Sequence, residues 1–237
     1  MATVANARAR RGGSGWPAAQ WGGSVHRVLV VDDHAVVRQG LRLLLERSPD
    51  LELIGDAGTG AEAMIAIETL APDVLVADLD MPGGGLDFLT RIHDRWPTLR
   101  LLVLSQHGER EFALRSLSAG AHGYVNKEAD PATLLDAIRR VASGRRYLSD
   151  SAQEQALEQL SGSDAGGPPH ARLSSREFEV FIGLARGKRV SELATDLGIS
   201  IKTVSTHRTR ILEKLGLGSN VDIALYARDH GLLGPQA

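Results

Sequence analysis

The stretch that most constrains the fold is Pro72-Asp73-Val74-Leu75-Val76-Ala77-Asp78-Leu79-Asp80-Met81-Pro82. Val74 to Ala77 is a continuous apolar run of strand-favouring residues, too short for a buried helix. It reads as the central strand of a parallel sheet covered on both faces. Asp78 stands where that strand ends, and Pro82 stops it. In open α/β sheets the chemistry gathers outside the carboxyl ends of the strands. Taken alone, Asp78 reads as well as a cap for the following turn.

A second apolar run, Val28-Leu29-Val30-Val31, closes with Asp32-Asp33. Two adjacent parallel strands ending in carboxylates put three acids in one small pocket. Clustered carboxylates raise one another's pKa unless a cation neutralises them. Hard oxygen donors suit Mg²⁺, which few protein groups hold. The expectation is a Mg²⁺ pocket with one carboxylate free to attack a phosphoryl group.

From Val28 onward strand and helix patterns alternate. Val37, Leu41, Leu44 and Leu45 share one helical face. Leu53-Ile54-Gly55 is a short second strand, and Gly58-Thr59-Gly60 is a turn opening a helix rather than a nucleotide site. Leu89, Ile92 and Trp96 mark a third helix that ends at Pro97. Ala113 and Leu117 mark a fourth. Asp130-Pro131 caps a fifth, lined by Leu134, Ile138 and Val141. The reading is a doubly wound, five-stranded parallel α/β sheet, followed by a small all-α domain. His34 and His107 flank the pocket and read as loop residues, because no paired-histidine spacing accompanies them.

Composition narrows the class. The 237 residues carry a net charge of −2 and no cysteine. That excludes disulfides and thiol catalysis and fits a reducing, cytoplasmic setting. No apolar run approaches the ~18 residues of a membrane span. Residues 1–24 read as a disordered tail, with weak nucleic-acid attraction through Arg8, Arg10 and Arg11, or as residues ahead of a later true start. Arg10-Arg11 lacks the apolar segment of a secretion signal. Residues 149–171, with Gly166-Gly167-Pro168-Pro169, read as a linker containing a helical piece through Leu157 and Leu160.

Residues 172–237 read as a second domain. Ser174-Ser175-Arg176-Glu177 is a capping box opening a helix. Ser191 to Leu197 is a short helix, Gly198 makes a turn, and Ser200 caps the next helix, which together describe a helix-turn-helix. At about 100° per residue, Val204, Ile211 and Leu215 fall on one side, and Lys202, Thr206, Thr209 and Arg210 on the other with Ser205 beside them. Small polar and basic side chains on an exposed helix face suit the major groove. Arg208, about 40° from the apolar centre, and Lys214 suit phosphate contacts instead. Residues 172–237 hold 10 Lys+Arg against 7 Asp+Glu, a net of +3. Residues 25–150 hold 14 against 19, a net of −5. The acidic half suits a cation and the basic half suits DNA.

The acidic pair Asp32-Asp33, the Asp78-Leu-Asp-Met-Pro turn, Ser105 after Leu101-Leu102-Val103-Leu104, and Gly123-Tyr124-Val125-Asn126-Lys127 together resemble the receiver domain of bacterial two-component response regulators. The match covers about residues 26–148, within a domain drawn at 25–148. The resemblance implies that Asp78 accepts phosphate from a sensor histidine kinase. It implies that Asp32, Asp33, Asp78 and the backbone carbonyl of Asp80 hold Mg²⁺, that Lys127 pairs with the phosphate, and that Ser105 and Tyr124 form a switch pair. Asp80, two residues after the acceptor, and His107, two after Ser105, occupy positions that tune phosphate lifetime in that family. The loop Gly83-Gly84-Gly85 departs from the usual pattern and is one residue short.

Leu173-Ser174-Ser175-Arg176-Glu177, Glu192-Leu193-Ala194, Ile199-Ser200, Lys202-Thr203-Val204 and Ile211-Leu212-Glu213-Lys214-Leu215-Gly216 resemble the LuxR-type DNA-binding domain. Ser205 stands where many relatives carry lysine. The pair of domains resembles the NarL/FixJ group. That implies a transcription regulator rather than an enzyme, one that can lose its phosphate by itself. The implied partners are a sensor histidine kinase, promoter DNA, RNA polymerase and a second copy joined through Val221 to His230, with no membrane. Two other readings remain at this point. One is a constitutive DNA-binding regulator with a silent receiver. The other is a stand-alone phosphoryl-transfer enzyme, disfavoured because no G-x-x-x-x-G-K-[ST] loop is present.

Overall fold

The computed structural model describes residues 25–106, 109–154 and 168–233. The first part is a five-stranded parallel sheet in the order β2-β1-β3-β4-β5. Its strands are β1 (His26–Val31), β2 (Leu51–Ala57), β3 (Val74–Ala77), β4 (Arg100–Ser105) and β5 (Gly123–Asn126). Between and after them lie α1 (Ala35–Glu46), α2 (Gly60–Leu70), α3 (Leu86–Arg95), α4 (Glu109–Ser118) and α5 (Pro131–Ala142). β3 sits in the middle, and all four of its residues are buried.

Period-two alternation splits the sheet residues between two layers. Val28, Val30, Val74, Val76, Leu102 and Leu104 pack under α1 and α5 against Leu41, Leu45, Leu134 and Ile138. Leu29, Val31, Leu75, Ala77, Leu101 and Val103 face α2, α3 and α4. Each such side chain contributes roughly 1.5–3 kcal/mol by leaving water, so shifting one strand by a single residue would expose a whole layer.

The sequence signals for helix starts hold where the signal is local. Asp130 accepts the Thr133 N–H at 2.9 Å, with Pro131 in the first turn of α5. β2 is longer than the expected Leu53-Ile54-Gly55. It is an edge strand whose polar residues Glu52 and Asp56 interrupt the apolar run. Asp56 is held by Arg38 and Arg42 of α1 at 2.9 and 2.6 Å. α3 begins three residues earlier than Leu89, because Leu86 and Phe88 are also core residues.

The second part is helical: α6 (Ser175–Ala185), α7 (Val190–Asp196), α8 (Ile201–Leu215) and α9 (Asn220–Asp229). A 3₁₀ turn, Pro169–Arg172, precedes α6. Within it His170 is buried, 3.1 Å from the Tyr226 hydroxyl. The packed helical part therefore begins inside the stretch expected to be linker. The expected tail, residues 1–24, and the helical piece through Leu157 and Leu160 lie outside the described residues. The capping box is present: Glu177 N–H donates to Ser174 Oγ, and Ser174 N–H donates to Glu177 Oε2. One buried apolar cluster runs from Val103 and Phe112 through Phe178 and Phe181 to Ile211 and Ile223, joining the sheet to the helical part.

Candidate phosphoacceptor pocket and DNA-reading helix

β1 and β3 are adjacent and in register, Val31 beside Ala77, so Asp32 and Asp78 leave the sheet side by side. Asp78 N–H donates to Val31 O at 2.8 Å, which fixes the approach of the two chain ends. Both side chains are buried. Lys127, on the turn after β5, enters between them. Its Nζ lies 2.7 Å from Asp32 Oδ2 and 2.9 Å from Asp78 Oδ2. Lys127 N–H donates to Ser105 O at 2.9 Å, so the turn that carries the ammonium is pinned to the end of β4.

Burial pushes the Asp78 carboxyl up from 3.8 to about 6. Lys127 works against that rise, and the charges of Asp32 and Asp80 add to it. Burial lowers the Lys127 pKa, but its bonds to Asp32 and Asp78 outweigh that and hold it above the usual lysine value. A carboxylate poised in this way is ionised at neutral pH and more basic than a solvated aspartate.

Asp32, Asp33, His34 and Asp78 each offer a ligand atom within 4.8 Å of the others. His34 was not expected among them. Its Nδ1 lies 2.7 Å from Asp33 Oδ1 and 3.2 Å from Asp32 Oδ1, and its N–H donates to Asp32 Oδ1 at 2.8 Å. No paired-histidine spacing signals this position; the signal is its adjacency to the acidic pair. Three carboxylates that converge this closely fit a hard divalent cation, as the donor chemistry predicts. Asp80 N–H donates to Asp78 Oδ1 at 3.2 Å, so the residue two beyond Asp78 turns back toward the pocket.

Ser105 is fully buried at the end of β4, opposite Asn126 in the register, and Tyr124 lies two residues back opposite Val103. Ser105 and Tyr124 are thus diagonal neighbours on one face of adjacent strands. Tyr124 is among the largest fully buried side chains. His107 lies outside the described residues.

The second set of residues gathers on α8. Ser200 caps it by accepting the Thr203 N–H at 3.1 Å. Val204 and Ile211 are buried while Lys202, Thr203, Ser205, Thr206, Thr209 and Arg210 are exposed, so the two faces separate as expected. The hydroxyls of Ser205, Thr206 and Thr209 donate to carbonyls four residues back. Arg208 is partly buried and donates from Nε to Asn220 Oδ1 at 2.6 Å. Lys214, expected at a phosphate, is exposed and also has a partner inside the domain. Its Nζ lies 2.6 Å from Glu177 Oε2. Burial raises the Glu177 carboxyl, but Lys214 and the Ser174 N–H outweigh it and hold the group below the usual range.

The two parts are docked. Glu179 of α6, half-buried, reaches the start of α3, where a carboxylate oxygen accepts the Leu86 N–H. Arg176 reaches Asp87 at 3.4 Å, and Arg186 reaches Asp80 at 3.6 Å. The contact leaves the polar face of α8 open to solvent. Among the described residues no helix is long and apolar enough to cross a membrane.

Known proteins share both halves. Residues 28–139 match the family described as the response regulator receiver domain, and residues 171–227 match the bacterial regulatory proteins of the luxR family. Response regulator UvrY of Escherichia coli K12 is 37% identical over 207 residues, covering 86% of this chain and 94% of that protein. The transcriptional regulatory protein LiaR of Bacillus subtilis is 36% identical over 206 residues, covering 86% and 98%. Among solved structures, RcsB from Salmonella enterica serovar Typhimurium, bound to promoter rprA in the presence of the phosphomimetic BeF3−, is 27% identical. It aligns with a TM-score of 0.65 over 85% of this chain and 97% of that one. Sheet, acidic pocket, reading helix and relatives agree that the chain belongs to the NarL/FixJ group of two-component response regulators, with a receiver domain followed by a LuxR-type DNA-binding domain.

Proposed function

We propose that Asp78 is the phosphoacceptor and that its phosphorylation controls promoter binding by α8. The observation that carries this is the placement of buried Asp78 beside buried Asp32, with the Lys127 ammonium bridging the two carboxylates. Asp78 attacks the phosphorus of a phosphohistidine or an acyl phosphate. A new bond forms to the Asp78 oxygen as the bond to the imidazole nitrogen or acyl oxygen breaks, and the leaving group keeps that electron pair. Asp32, Asp33, Asp78 and the backbone carbonyl of Asp80 would hold Mg²⁺. Mg²⁺, when bound, supplies positive charge opposite the anionic phosphoryl oxygens. Lys127 then moves from carboxylate to phosphoryl oxygen, a charge-assisted contact. Ser105 supplies a hydroxyl to the same group, and Tyr124 follows it as the second member of the switch pair.

The partners are a sensor histidine kinase, promoter DNA, RNA polymerase and a second copy of the chain, and the place of work is the cytoplasm. The chain is a regulator; loss of the phosphate by hydrolysis is its one reaction besides phosphorylation. The receiver occupies 25–148, and the DNA-binding domain begins at Pro169. Lys202, Thr203, Ser205, Thr206, Thr209 and Arg210 face the bases, and Arg208 the backbone. Val221 and Leu225, both exposed and one turn apart on α9, supply the contact between copies.

One observation favours the alternative of a constitutive DNA binder: the reading face is exposed while the domains are docked. Under the main reading, phosphorylation therefore acts by pairing copies, not by uncovering α8. The test is intact-mass analysis with Mg²⁺ and acetyl phosphate, paired with gel-shift titrations at one salt concentration. One added phosphoryl group, absent in Asp78→Asn, together with tighter DNA binding, supports the main reading. Equal DNA affinity with and without the phosphoryl group leaves the constitutive reading.

A further inference from the structure

The loop Gly83-Gly84-Gly85 joins the pocket to the DNA-binding domain. Gly85 has φ +87, and a Cβ there would overlap the Glu179 carboxylate. The glycine therefore serves two ends: it supplies the left-handed turn and leaves the space that Glu179 fills. Arg176 holds Glu179 from behind at 2.9 Å and donates to Leu197 O at 2.8 Å. Gly83 N–H donates to Asp196 O at 3.2 Å, a main-chain bond between the two domains. These contacts seat the end of α6 beside the loop, and Arg186, the residue after α6, projects to Asp80. Asp80 is linked to the acceptor through its N–H on Asp78 Oδ1, and its negative charge disfavours ionisation of Asp78.

We propose that Arg186 is a positioning residue of the phosphoacceptor pocket: by holding and neutralising Asp80 it sets how readily cation and phosphoryl donor enter. This rests on the reading of Asp78 as the acceptor. Its consequence is that a residue of the DNA-binding domain belongs to the electrostatics of the receiver site. Without Arg186, the Asp80 carboxylate loses one positive neighbour, and the negative charge near Asp78 is less offset. Divalent cations then bind more tightly, and an anionic donor is repelled. Coupling of this kind is reciprocal. Anything that undocks the DNA-binding domain changes phosphorylation, and a phosphoryl group on Asp78 changes docking.

The experiment uses the full-length chain. Mg²⁺ affinity is measured by isothermal titration, and incorporation from acetyl phosphate by intact mass at saturating Mg²⁺. Arg186→Ala is expected to tighten Mg²⁺ binding and slow incorporation, each by about two- to fivefold, the range of a partly exposed ion pair. Arg186→Lys is expected to restore both. In an Asp80→Asn background Arg186→Ala is expected to change neither. Glu179→Ala, which leaves Arg186 in place but loosens its seat, is expected to shift both quantities in the Arg186→Ala direction. Unchanged Mg²⁺ affinity and rate in Arg186→Ala overturn the proposal, as does an effect that persists in Asp80→Asn. Incorporation that survives Asp78→Asn overturns the acceptor reading instead, so the two failures are distinguishable.

Discussion

The guanidinium of Arg115 lies over the ring of Phe178, 3.9 Å from its centroid. Arg115 belongs to α4 of the receiver, and Phe178 to α6 of the DNA-binding domain. The same arginine donates to Leu173 O and His170 O, each at 2.9 Å. One side chain therefore holds an aromatic face and two main-chain carbonyls of the other domain. Arg115→Ala is expected to remove a cation–π contact worth about 0.5–2 kcal/mol and to leave both carbonyls to water. The variant should be cut faster by protease between residues 150 and 170, with the midpoint of receiver unfolding little changed. A time course of limited proteolysis checks this, and an unchanged cleavage rate would reject it.

The second expectation concerns pH. Asp78 is an acid whose folded value, about 6, lies above the unfolded 3.8. Between those values the folded protein binds more protons than the unfolded chain. Stability of the metal-free protein should therefore fall as pH rises from about 4 to 6. At pH 7 the shift amounts to at most about 3 kcal/mol. Asp78→Asn should lack this decline and melt at a higher temperature than wild type at pH 7 in EDTA. Thermal melts of both proteins at pH 4.5 and 7 measure it. The same pH dependence in both would mean that another group is responsible.

A third concerns the two lysines of α8. Lys202 is exposed on the polar face, whereas Lys214 is engaged with buried Glu177 at 2.6 Å. Lys202→Ala, which removes a base-facing side chain, should weaken binding and relax base selection more than it changes the slope of log affinity against log salt. Lys214→Ala should leave that slope nearly unchanged but destabilise the domain by about 1 kcal/mol, because Glu177 loses a charged partner. Gel-shift affinities at three salt concentrations, together with urea melts, distinguish the two. A larger salt effect from Lys214 would restore it as a phosphate contact.

The fourth concerns base reading. The Thr206 and Thr209 side chains are exposed on the same face of α8, with methyl groups as well as hydroxyls. Thr206→Ala and Thr209→Ala should each shift the selected base at one or two positions, costing about 1–3 kcal/mol at the preferred base. Their salt slope should be unchanged. Selection from a random DNA pool reads this out, and identical selected sites for wild type and both variants would place the reading face elsewhere.

How far the sequence carried the structure depends on the range of each signal. The acids at the ends of β1 and β3 were legible because an apolar run and the residue closing it are adjacent in the chain. The same holds for the Ser174–Glu177 capping box and for the Asp130-Pro131 start of α5. β2 was only partly legible, since a half-exposed edge strand interrupts its apolar run with Glu52 and Asp56. The contacts of His34 with Asp32 and Asp33 were not legible from histidine spacing, because they are made with its two preceding residues. The Lys214–Glu177 pair was not legible from the helix face, because Glu177 lies 37 positions away. The Glu179–Leu86 contact spans 93 positions, and nothing local to either residue announces it. The three glycines looked only like a loose loop, yet the space at Gly85 is occupied by the other domain's carboxylate.

The docked contact has a thermodynamic consequence that follows from its being made within one chain. Two free domains would have to surrender translational and rotational freedom to associate, at a cost of about 4–15 kcal/mol. Covalent connection replaces most of that loss with an effective concentration on the order of millimolar. A contact too weak to hold separate molecules together can thus be well populated here, and opposing it requires little energy. A bias of about 1.4 kcal/mol changes the ratio of docked to undocked molecules tenfold. The partly exposed ion pair between Arg186 and Asp80, at 3.6 Å, is worth less than that, about 0.2–1 kcal/mol, so several such small contacts together set the balance.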